Sequence, residues 1–204
     1  MLLIPLLIVV AYLCGSIPVG VLVGRARGFD PRKVGSGNVG MTNVARSGGG
    51  GAAAITFVGD VLKGFVPVMI ALAMHLDTAA LATVGLAALL GAVFSVFLRF
   101  EGGRGVSTSL GVWLALAPAP VLIAIVVFAA VFAARRIMSL ASIAAAVSLP
   151  IAVASLAYPV EYVALGVAMS ALVLWRHRAN IGRLMRGQEP TFKLGGRPAG
   201  EEVR

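Results

Sequence analysis

The chain has 204 residues, of which 59% are hydrophobic, and its mean hydropathy is +0.98. Because a soluble domain of this size is closer to half apolar, this composition favours one integral membrane domain over residues 1–204. The single cysteine, Cys14, excludes a disulfide framework or a cysteine-based metal site within the chain, and we expect neither a metal nor another cofactor.

Seven apolar runs are predicted to cross a bilayer whose hydrocarbon core is about 30 Å thick. They cover about residues 2–23, 52–74, 78–98, 106–117, 118–134, 139–157 and 161–175. A polar, glycine-rich stretch follows the first run, the fourth run is the shortest, and residues 185–204 read as a polar tail. The sequence therefore predicts an all-α, polytopic protein with seven transmembrane helices.

The basic residues orient these helices, because loops rich in Lys and Arg stay in the cytoplasm. With the N-terminus outside, every Lys and Arg except Lys63 lies in an inner loop or in the tail, and Lys63 falls in the inner half of the second run. We therefore expect an outer N-terminus and a cytoplasmic C-terminus. This arrangement explains the net charge of +9 without a nucleic-acid partner.

The first inner loop combines glycines with hydrogen-bonding side chains between Gly35 and Arg46. Glycines let backbone N–H groups approach an anion, Ser36, Asn38 and Asn43 add side-chain hydrogen bonds, and Arg46 offers a planar cation suited to phosphate. A flexible loop resting on anionic lipid headgroups explains the same composition. Both interpretations stay open at this point.

A second cluster lies inside the second run, where Asp60 and Lys63 share one helical face. Charged residues within a membrane span are costly and usually face a partner or a cavity. The alternative is an ion pair that only locks this helix to its neighbours. We favour a functional pair.

A third cluster, Gly102-Gly103-Arg104-Gly105, directly precedes an apolar segment. A glycine-rich turn entering a helix presents free N–H groups, a positive dipole end and here a guanidinium to an anion. The turn lacks the spacing of a nucleotide-binding P-loop. A tight turn alone would explain the glycines but not Arg104.

The fourth cluster surrounds His177 at the inner end of the last run, followed by Arg178 and Asn180. Its basic neighbours favour the neutral imidazole, which can accept a proton or bind a phosphate oxygen. An ordinary residue of the headgroup region is the alternative. Ser142 is expected near the same surface, although serines also pack between membrane helices.

Taken together, these clusters resemble the acyl-phosphate-dependent glycerol-3-phosphate acyltransferase family (the PlsY type). The resemblance rests on six motifs in chain order: Gly15-Ser16-Ile17-Pro18, Ser36-Gly37-Asn38-x-Gly40-x-Thr42-Asn43-x-x-Arg46, Gly59-Asp60-x-x-Lys63-Gly64, Phe100-x-Gly102-Gly103-x-Gly105-Val106-x-Thr108, Ser139-Leu140-Ala141-Ser142-Ile143, and His177-Arg178-x-Asn180-Ile181-x-Arg183-Leu184-x-x-Gly187-x-Glu189. Each motif alone has moderate specificity, and the six in order are highly specific.

The resemblance implies transfer of a fatty acyl group from acyl phosphate to the 1-hydroxyl of glycerol 3-phosphate, giving lysophosphatidic acid and phosphate. It implies a multi-pass protein of the bacterial plasma membrane whose active site faces the cytoplasm. The expected partners are the two substrates and membrane lipids.

By resemblance, one group of residues would supply charge, protons or orientation in catalysis: His177, Lys63, Arg104, Ser36 and Asn180. A second group would bind substrate and phosphate: Ser36, Gly37, Asn38, Asn43, Arg46, Gly102, Gly103, Gly105, Ser142 and Arg178. In this group Gly102, Gly103 and Gly105 are expected to donate from the backbone. Either His177 or a substrate phosphate would take the proton of the acceptor hydroxyl.

Two positions depart from the family pattern. Ala92 stands where the family usually has His, and Arg104 stands where it usually has Lys. These differences keep a divergent paralogue with another acceptor as an alternative. A non-enzymatic lipid or anion transporter is a second one, although transporters commonly bind at midplane helix breaks, whereas the polar motifs here gather at one face.

Overall fold

The computed structural model describes residues 2–192, and these contain α-helices and two short 3-10 helices with no β-strand. In chain order the α-helices are α1 (Leu3–Ser16), α2 (Val19–Ala26), α3 (Met41–Ala73), α4 (Thr78–Val93), α5 (Val106–Leu116), α6 (Pro118–Arg135), α7 (Met138–Ser155), α8 (Val160–Arg176) and α9 (Arg178–Met185). The 3-10 helices are Pro31–Lys33 and Val96–Leu98. The end of the predicted polar tail lies outside the described residues.

Five helical segments are long and apolar enough to cross a membrane: Leu3–Ala26, Met41–Ala73, Thr78–Leu98, Pro118–Arg135 and Met138–Ser155. Helices α5 and α8, with 11 and 17 residues, are shorter. The all-helical membrane architecture is thus confirmed for residues 2–192. The count of seven crossings and the orientation stay predictions.

The first predicted run is interrupted where the sequence suggested one continuous segment. Helix α1 ends at Ser16, and α2 begins only at Val19. The residue before a proline is driven away from the helical region, and Ile17, which precedes Pro18, has ψ of 119°. The resulting break reorients α2, which continues to Ala26 and carries Arg25 in its last turn.

Helix α3 begins at Met41, well before the predicted start of the second run near residue 52. The prediction was wrong here because hydropathy detects only the apolar part of a helix, whereas the first turns of α3 are polar and glycine-rich. The helix is distorted inside this stretch at Gly49, whose φ of 74° and ψ of −177° are not helical. The interruption divides a polar N-terminal section from the long apolar section.

Helix α4 is the central element and packs against α1, α3, α5 and α8. Its buried side chains, including Val84 and Leu89, join Trp113, Leu165 and Met169 in one apolar core. Glycines allow the closest helix approaches: a Cβ on Gly15 or Gly91 would collide with backbone between α1 and α4, and one on Gly64 or Gly111 would do so between α3 and α5. Large apolar side chains on the outer surface, such as Leu6, Val126 and Ile151, are exposed, which suits contact with lipid.

Candidate active site

One cavity of about 420 Å³ lies between the helices and brings most of the polar clusters together. Its polar lining comes from loops, from helix ends and, for Asp60 and Lys63, from the interior of α3: Asn38, Thr42, Asp60, Lys63, Arg104, Ser107, Thr108, Ser109, Ser139, Ser142 and His177. Its apolar lining comes mainly from α5, α6 and α7: Trp113, Val121, Ile125, Phe128, Ala146 and Leu149. A cavity with cationic and hydroxyl groups on one part and apolar side chains on another suits an amphipathic anion.

The predicted site residues divide into two groups. Those that line the cavity are Asn38, Lys63, Gly103, Arg104, Gly105, Ser142 and His177. Those that do not line it are Ser36, Gly37, Asn43, Arg46, Gly102, Arg178 and Asn180. The residues of the second group lie around the cavity without lining it, except Arg178, which lies apart from the cavity.

Asp60 and Lys63 form the expected ion pair, with 2.7 Å between Oδ1 and Nζ, and both side chains are nearly buried. The Lys63 ammonium also donates to the carbonyl of Ile17, at 3.2 Å, in the break between α1 and α2. Asp60 and Ile17 therefore fix the ammonium at the cavity wall. The pair both joins helices and faces the cavity, so the structural and functional interpretations are compatible.

The glycine turn is held from both sides. The N–H groups of Gly102 and Gly103 donate to the carbonyls of Val93 and Ala92, each at 3.0 Å. The Arg176 guanidinium donates to the carbonyls of the same two glycines, at 3.0 Å for Gly103. The expectation that Gly102 and Gly103 donate from the backbone to a substrate is therefore corrected, because those N–H groups are already engaged.

Arg176 is thus a residue that the motif analysis missed. Its position at the end of an apolar run suggested only an interfacial cation, and no local signal indicated that it reaches the glycine turn 73 residues away in sequence. By fixing the turn, Arg176 determines where Arg104 projects. Gly105 completes the turn with φ of 78°, a left-handed conformation that glycine adopts without steric cost.

Arg104 lines the cavity and makes no hydrogen bond or ion pair with residues 2–192. Burial lowers the pKa of its guanidinium; the charge of Glu189 opposes this shift, and Arg183, Arg176 and Arg46 lower the pKa further. A group with so high an ordinary pKa stays protonated at neutral pH. The cavity wall therefore carries a desolvated cation among other cations, and an anion placed there relieves their repulsion.

His177 is 1% exposed and lines the cavity. Its Nδ1 lies 2.8 Å from the Val173 carbonyl, so Nδ1 carries the proton and donates, which leaves Nε2 of the neutral ring as an acceptor. Burial lowers the pKa of His177 to about 4; the Val173 hydrogen bond opposes the shift, and Arg104 and Arg176 add to it. The ring is therefore neutral at physiological pH, as the sequence predicted.

Glu189 connects α7 to α9 through hydrogen bonds. Its carboxylate accepts hydrogen bonds from Ser139 at 2.7 Å, from the Asn180 amide, and from Arg183 at 2.7 Å. Burial raises the pKa of Glu189, but the hydrogen bonds from Ser139, Asn180 and Arg183 and the charge of Arg183 outweigh it, so the pKa lies below its ordinary value. This anion joins α7 to α9 and holds the buried Asn180 beside the cavity rather than in its wall.

Two binding assignments need correction. Asn43 is 1% exposed, and its side chain accepts from the Ser36 N–H and donates to the carbonyls of Pro31 and Val34. Its amide is therefore fully used in holding the loop that carries Ser36 and Gly37, and it has no free group for phosphate.

Arg178 is the second binding assignment that needs correction. It is exposed, and its guanidinium lies 4.7 Å from the centroid of the Trp175 ring and donates to the Trp175 carbonyl. The arginine therefore packs on the outer surface of the helix end rather than at the cavity. Sequence spacing placed it next to His177, but adjacent residues of a helix project in different directions.

Comparison with known proteins identifies the family. A family model described as glycerol-3-phosphate acyltransferase matches residues 5–187. A glycerol-3-phosphate acyltransferase of Rubrobacter xylanophilus is 48% identical over 96% of this chain and 97% of its own, and one of Geotalea daltonii is 46% identical over 92% and 96%.

Two solved structures share the fold. Crystal structures of PlsY (YgiH), an integral membrane glycerol 3-phosphate acyltransferase, superpose with TM-scores of 0.90 for the glycerol 3-phosphate form and 0.88 for the lysophosphatidic acid form. Their sequences are 41% and 40% identical to this one, over 93% and 94% of this chain and 96% of each of theirs. This chain therefore belongs to the glycerol-3-phosphate acyltransferase family of integral membrane enzymes.

Proposed function

We propose that this enzyme transfers a fatty acyl group from acyl phosphate to the 1-hydroxyl of glycerol 3-phosphate, giving lysophosphatidic acid and phosphate. The relatives' named activity and the two ligand forms of the solved PlsY structures support the acceptor and the product. The observation that carries the proposal is the single cavity in which Lys63, Arg104 and His177 share a wall with apolar side chains of α5, α6 and α7.

An acyl phosphate suits this cavity because it is a mixed anhydride and therefore an activated donor. The oxygen of the acceptor hydroxyl attacks the acyl carbonyl carbon, the bond from that carbon to the phosphate oxygen breaks, and inorganic phosphate leaves. No covalent intermediate on the enzyme is needed. The enzyme's task is to hold two anions together, orient the hydroxyl and stabilise the departing phosphate.

The cationic groups divide this task. Lys63 and Arg104 lie in the cavity wall and are proposed to hold the donor phosphate, with Asn38 adding hydrogen bonds. Ser142 also lines the cavity, but its hydroxyl already donates to the Met138 carbonyl, at 2.9 Å, so it is not assigned to the phosphate. Ser36 and Gly37 lie on the loop that Asn43 fixes, and Arg46 lies in the first turns of α3; these three residues are proposed to receive the phosphate of the acceptor. The acyl chain would extend along Ile125, Phe128 and Leu149.

His177 is proposed to take the hydroxyl proton on Nε2, because its Nδ1 is already committed to Val173. The departing phosphate is the other acceptor within the same reaction. Asn180, held by Glu189, is proposed to position the chain around His177 rather than to touch substrate.

We further propose that α5 and α8 complete seven crossings, with the N-terminus outside and the active site open to the bacterial cytoplasm. The basic residues, concentrated at the end of the molecule that carries Arg104 and His177, support this orientation.

The test is phosphate release by purified enzyme in a lipidic environment, with palmitoyl phosphate and glycerol 3-phosphate as substrates. Lys63→Ala and His177→Ala should lose acceptor-dependent release, whereas Arg135→Ala, an exposed arginine at the end of α6, should keep it. Palmitoyl-CoA offered instead of palmitoyl phosphate should give no product. Folded enzyme that releases no phosphate above the two site variants would refute the assignment, and equal use of palmitoyl-CoA would refute the donor.

A further inference from the structure

A second cavity, of about 350 Å³, is lined by the break between α1 and α2, by α2 itself and by the 3-10 helix Val96–Leu98. Its apolar lining includes Leu22 and Phe97, which are 50% and 59% exposed, and its cationic lining is Arg25 and Arg32. The cavity is therefore an open groove rather than an enclosed pocket. The reaction proposed above leaves this groove unused.

Among residues 2–192, the groove has one cation without a protein partner. Arg32 is paired with Asp30, at 2.7 Å between Nη2 and Oδ2, whereas Arg25 forms no ion pair within residues 2–192. Arg25 lies in the last turn of α2, next to the apolar face formed by Leu22. An anionic headgroup at Arg25 and an apolar chain along Leu22 and Phe97 would satisfy both parts of the groove.

The groove adjoins the active-site cavity, because Pro18 lines both. The wall between them is the Ile17–Pro18 break, and the Ile17 carbonyl accepts a hydrogen bond from Lys63, which lies in the active-site wall. The two cavities are thus separated by a single non-helical connection.

We propose that this groove is a second binding site for lysophosphatidic acid, the product of the reaction, and that it receives the lipid beside the α1–α2 break. The inference rests on the proposed function for the identity of its ligand. A single acyl chain with a phosphate monoester matches one apolar groove with one unpaired arginine. Pro18, which lines both cavities, places the groove next to the active site, and this proximity favours the product over a bulk phospholipid.

The test uses a lysophosphatidic acid analogue with a photoreactive diazirine in its acyl chain, added to folded enzyme without the other substrates. Mass spectrometry of the labelled peptides should find crosslinks around Phe97 and Leu22 in addition to crosslinks in the active-site cavity near Phe128. Arg25→Gln should raise the half-saturating concentration for labelling at Phe97 about tenfold, the worth of one charge-assisted hydrogen bond, and leave labelling at Phe128 unchanged. The matched control, Arg135→Gln, should change neither.

A second variant and two competitors keep the test decisive. Leu22→Trp, which fills the groove without removing charge, should reduce labelling at Phe97 to the same degree. Labelling at Phe97 that survives both variants, that a neutral monoacylglycerol analogue reproduces, or that equimolar phosphatidylglycerol abolishes would overturn the proposal. Because labelling needs no turnover, its failure is separate from failure of the phosphate-release assay.

Discussion

At the scale of single residues, the hydrogen bond from His177 to Val173 determines which ring nitrogen is free to accept a proton. Because the pKa of His177 is lowered to about 4, the acceptor nitrogen is free at neutral pH and is lost only when acid protonates it. We expect kcat/KM to show a decline with an apparent pKa near 4 that depends on His177. His177→Gln should lower kcat about a hundredfold, within the usual range for general-base catalysis.

The control for this prediction is the full pH profile of both enzymes. The acceptor phosphate itself titrates near pH 6, so a decline in that region should occur in the wild type and in His177→Gln alike. The decline near pH 4 should be absent from the variant. A decline near pH 6 to 7 that disappears in His177→Gln would contradict a strongly lowered histidine pKa.

Arg104 allows a second prediction at this scale, because it lines the cavity without a protein partner in residues 2–192. Arg104→Ala should reduce kcat/KM about a hundredfold through loss of one desolvated cation at the departing phosphate. Arg104→Lys should recover part of this loss, since lysine keeps the charge but lacks the planar fork. Steady-state kinetics of the two variants beside Arg135→Ala would check the order, and equal loss in both substitutions would contradict a contribution from charge.

Three ionisable residues that the sequence singled out, Lys63, Arg104 and His177, all line the cavity. For Lys63 the reason is that a charge inside an apolar run needs a polar space to face. Arg104 and His177 stand in polar segments, and their motifs rather than their surroundings indicated them. The sequence predicted the roles of amide side chains poorly. Asn43 reads as a ligand residue in its loop, but its carboxamide holds three backbone groups of that loop, and the direction of a side chain does not follow from its spacing.

At the scale of elements, the glycines near the start of α3 predict that alanine substitutions at two neighbouring positions change the stability of the protein in opposite directions. Gly49 has a conformation open essentially to glycine alone, whereas a Cβ on Gly50 would meet no atom within 4 Å in helical backbone. Gly49→Ala should therefore destabilise the protein by about 1–3 kcal/mol, and Gly50→Ala should stabilise it by about 0.5–1 kcal/mol. Thermal unfolding in detergent should show midpoints shifted in opposite directions, and a shared direction would contradict the interrupted helix.

The end of a helix was predictable where the hydropathy of the sequence changes sharply at that end. The helices α5 to α8 follow their predicted runs, because turns with charge, proline or glycine separate these runs. The start of α3, the break at Ile17–Pro18 and the end of α4 at Val93, inside the run predicted to reach residue 98, escaped prediction. A polar helix at the membrane surface and a break within a continuously apolar segment both lack that contrast.

At the scale of the whole molecule, the gathering of polar motifs at one end was predictable, but the cavity was not. Loop composition and topology alone bring the glycine turn, the loop around Ser36 and the segment after α8 to one side. The apolar part of the cavity depends instead on how α5, α6 and α7 pack, and the contact between Arg176 and the glycine turn depends on the approach of α8 to α4. Those distances arise from interhelical packing, which no local pattern encodes.

The orientation of the protein in the membrane gives the prediction at this scale, since loops rich in Lys and Arg stay in the cytoplasm. Ser155 ends α7 on the side without basic loops, and Gln188 lies beside Arg183 and Arg186; both side chains are exposed. In a Cys14→Ala background, a membrane-impermeant maleimide added to intact spheroplasts should label Ser155→Cys but not Gln188→Cys. Permeabilised cells should label both. Labelling of Gln188→Cys in intact cells would place Arg104 and His177 on the outer face, away from cytoplasmic substrates, and the proposed orientation would then be wrong.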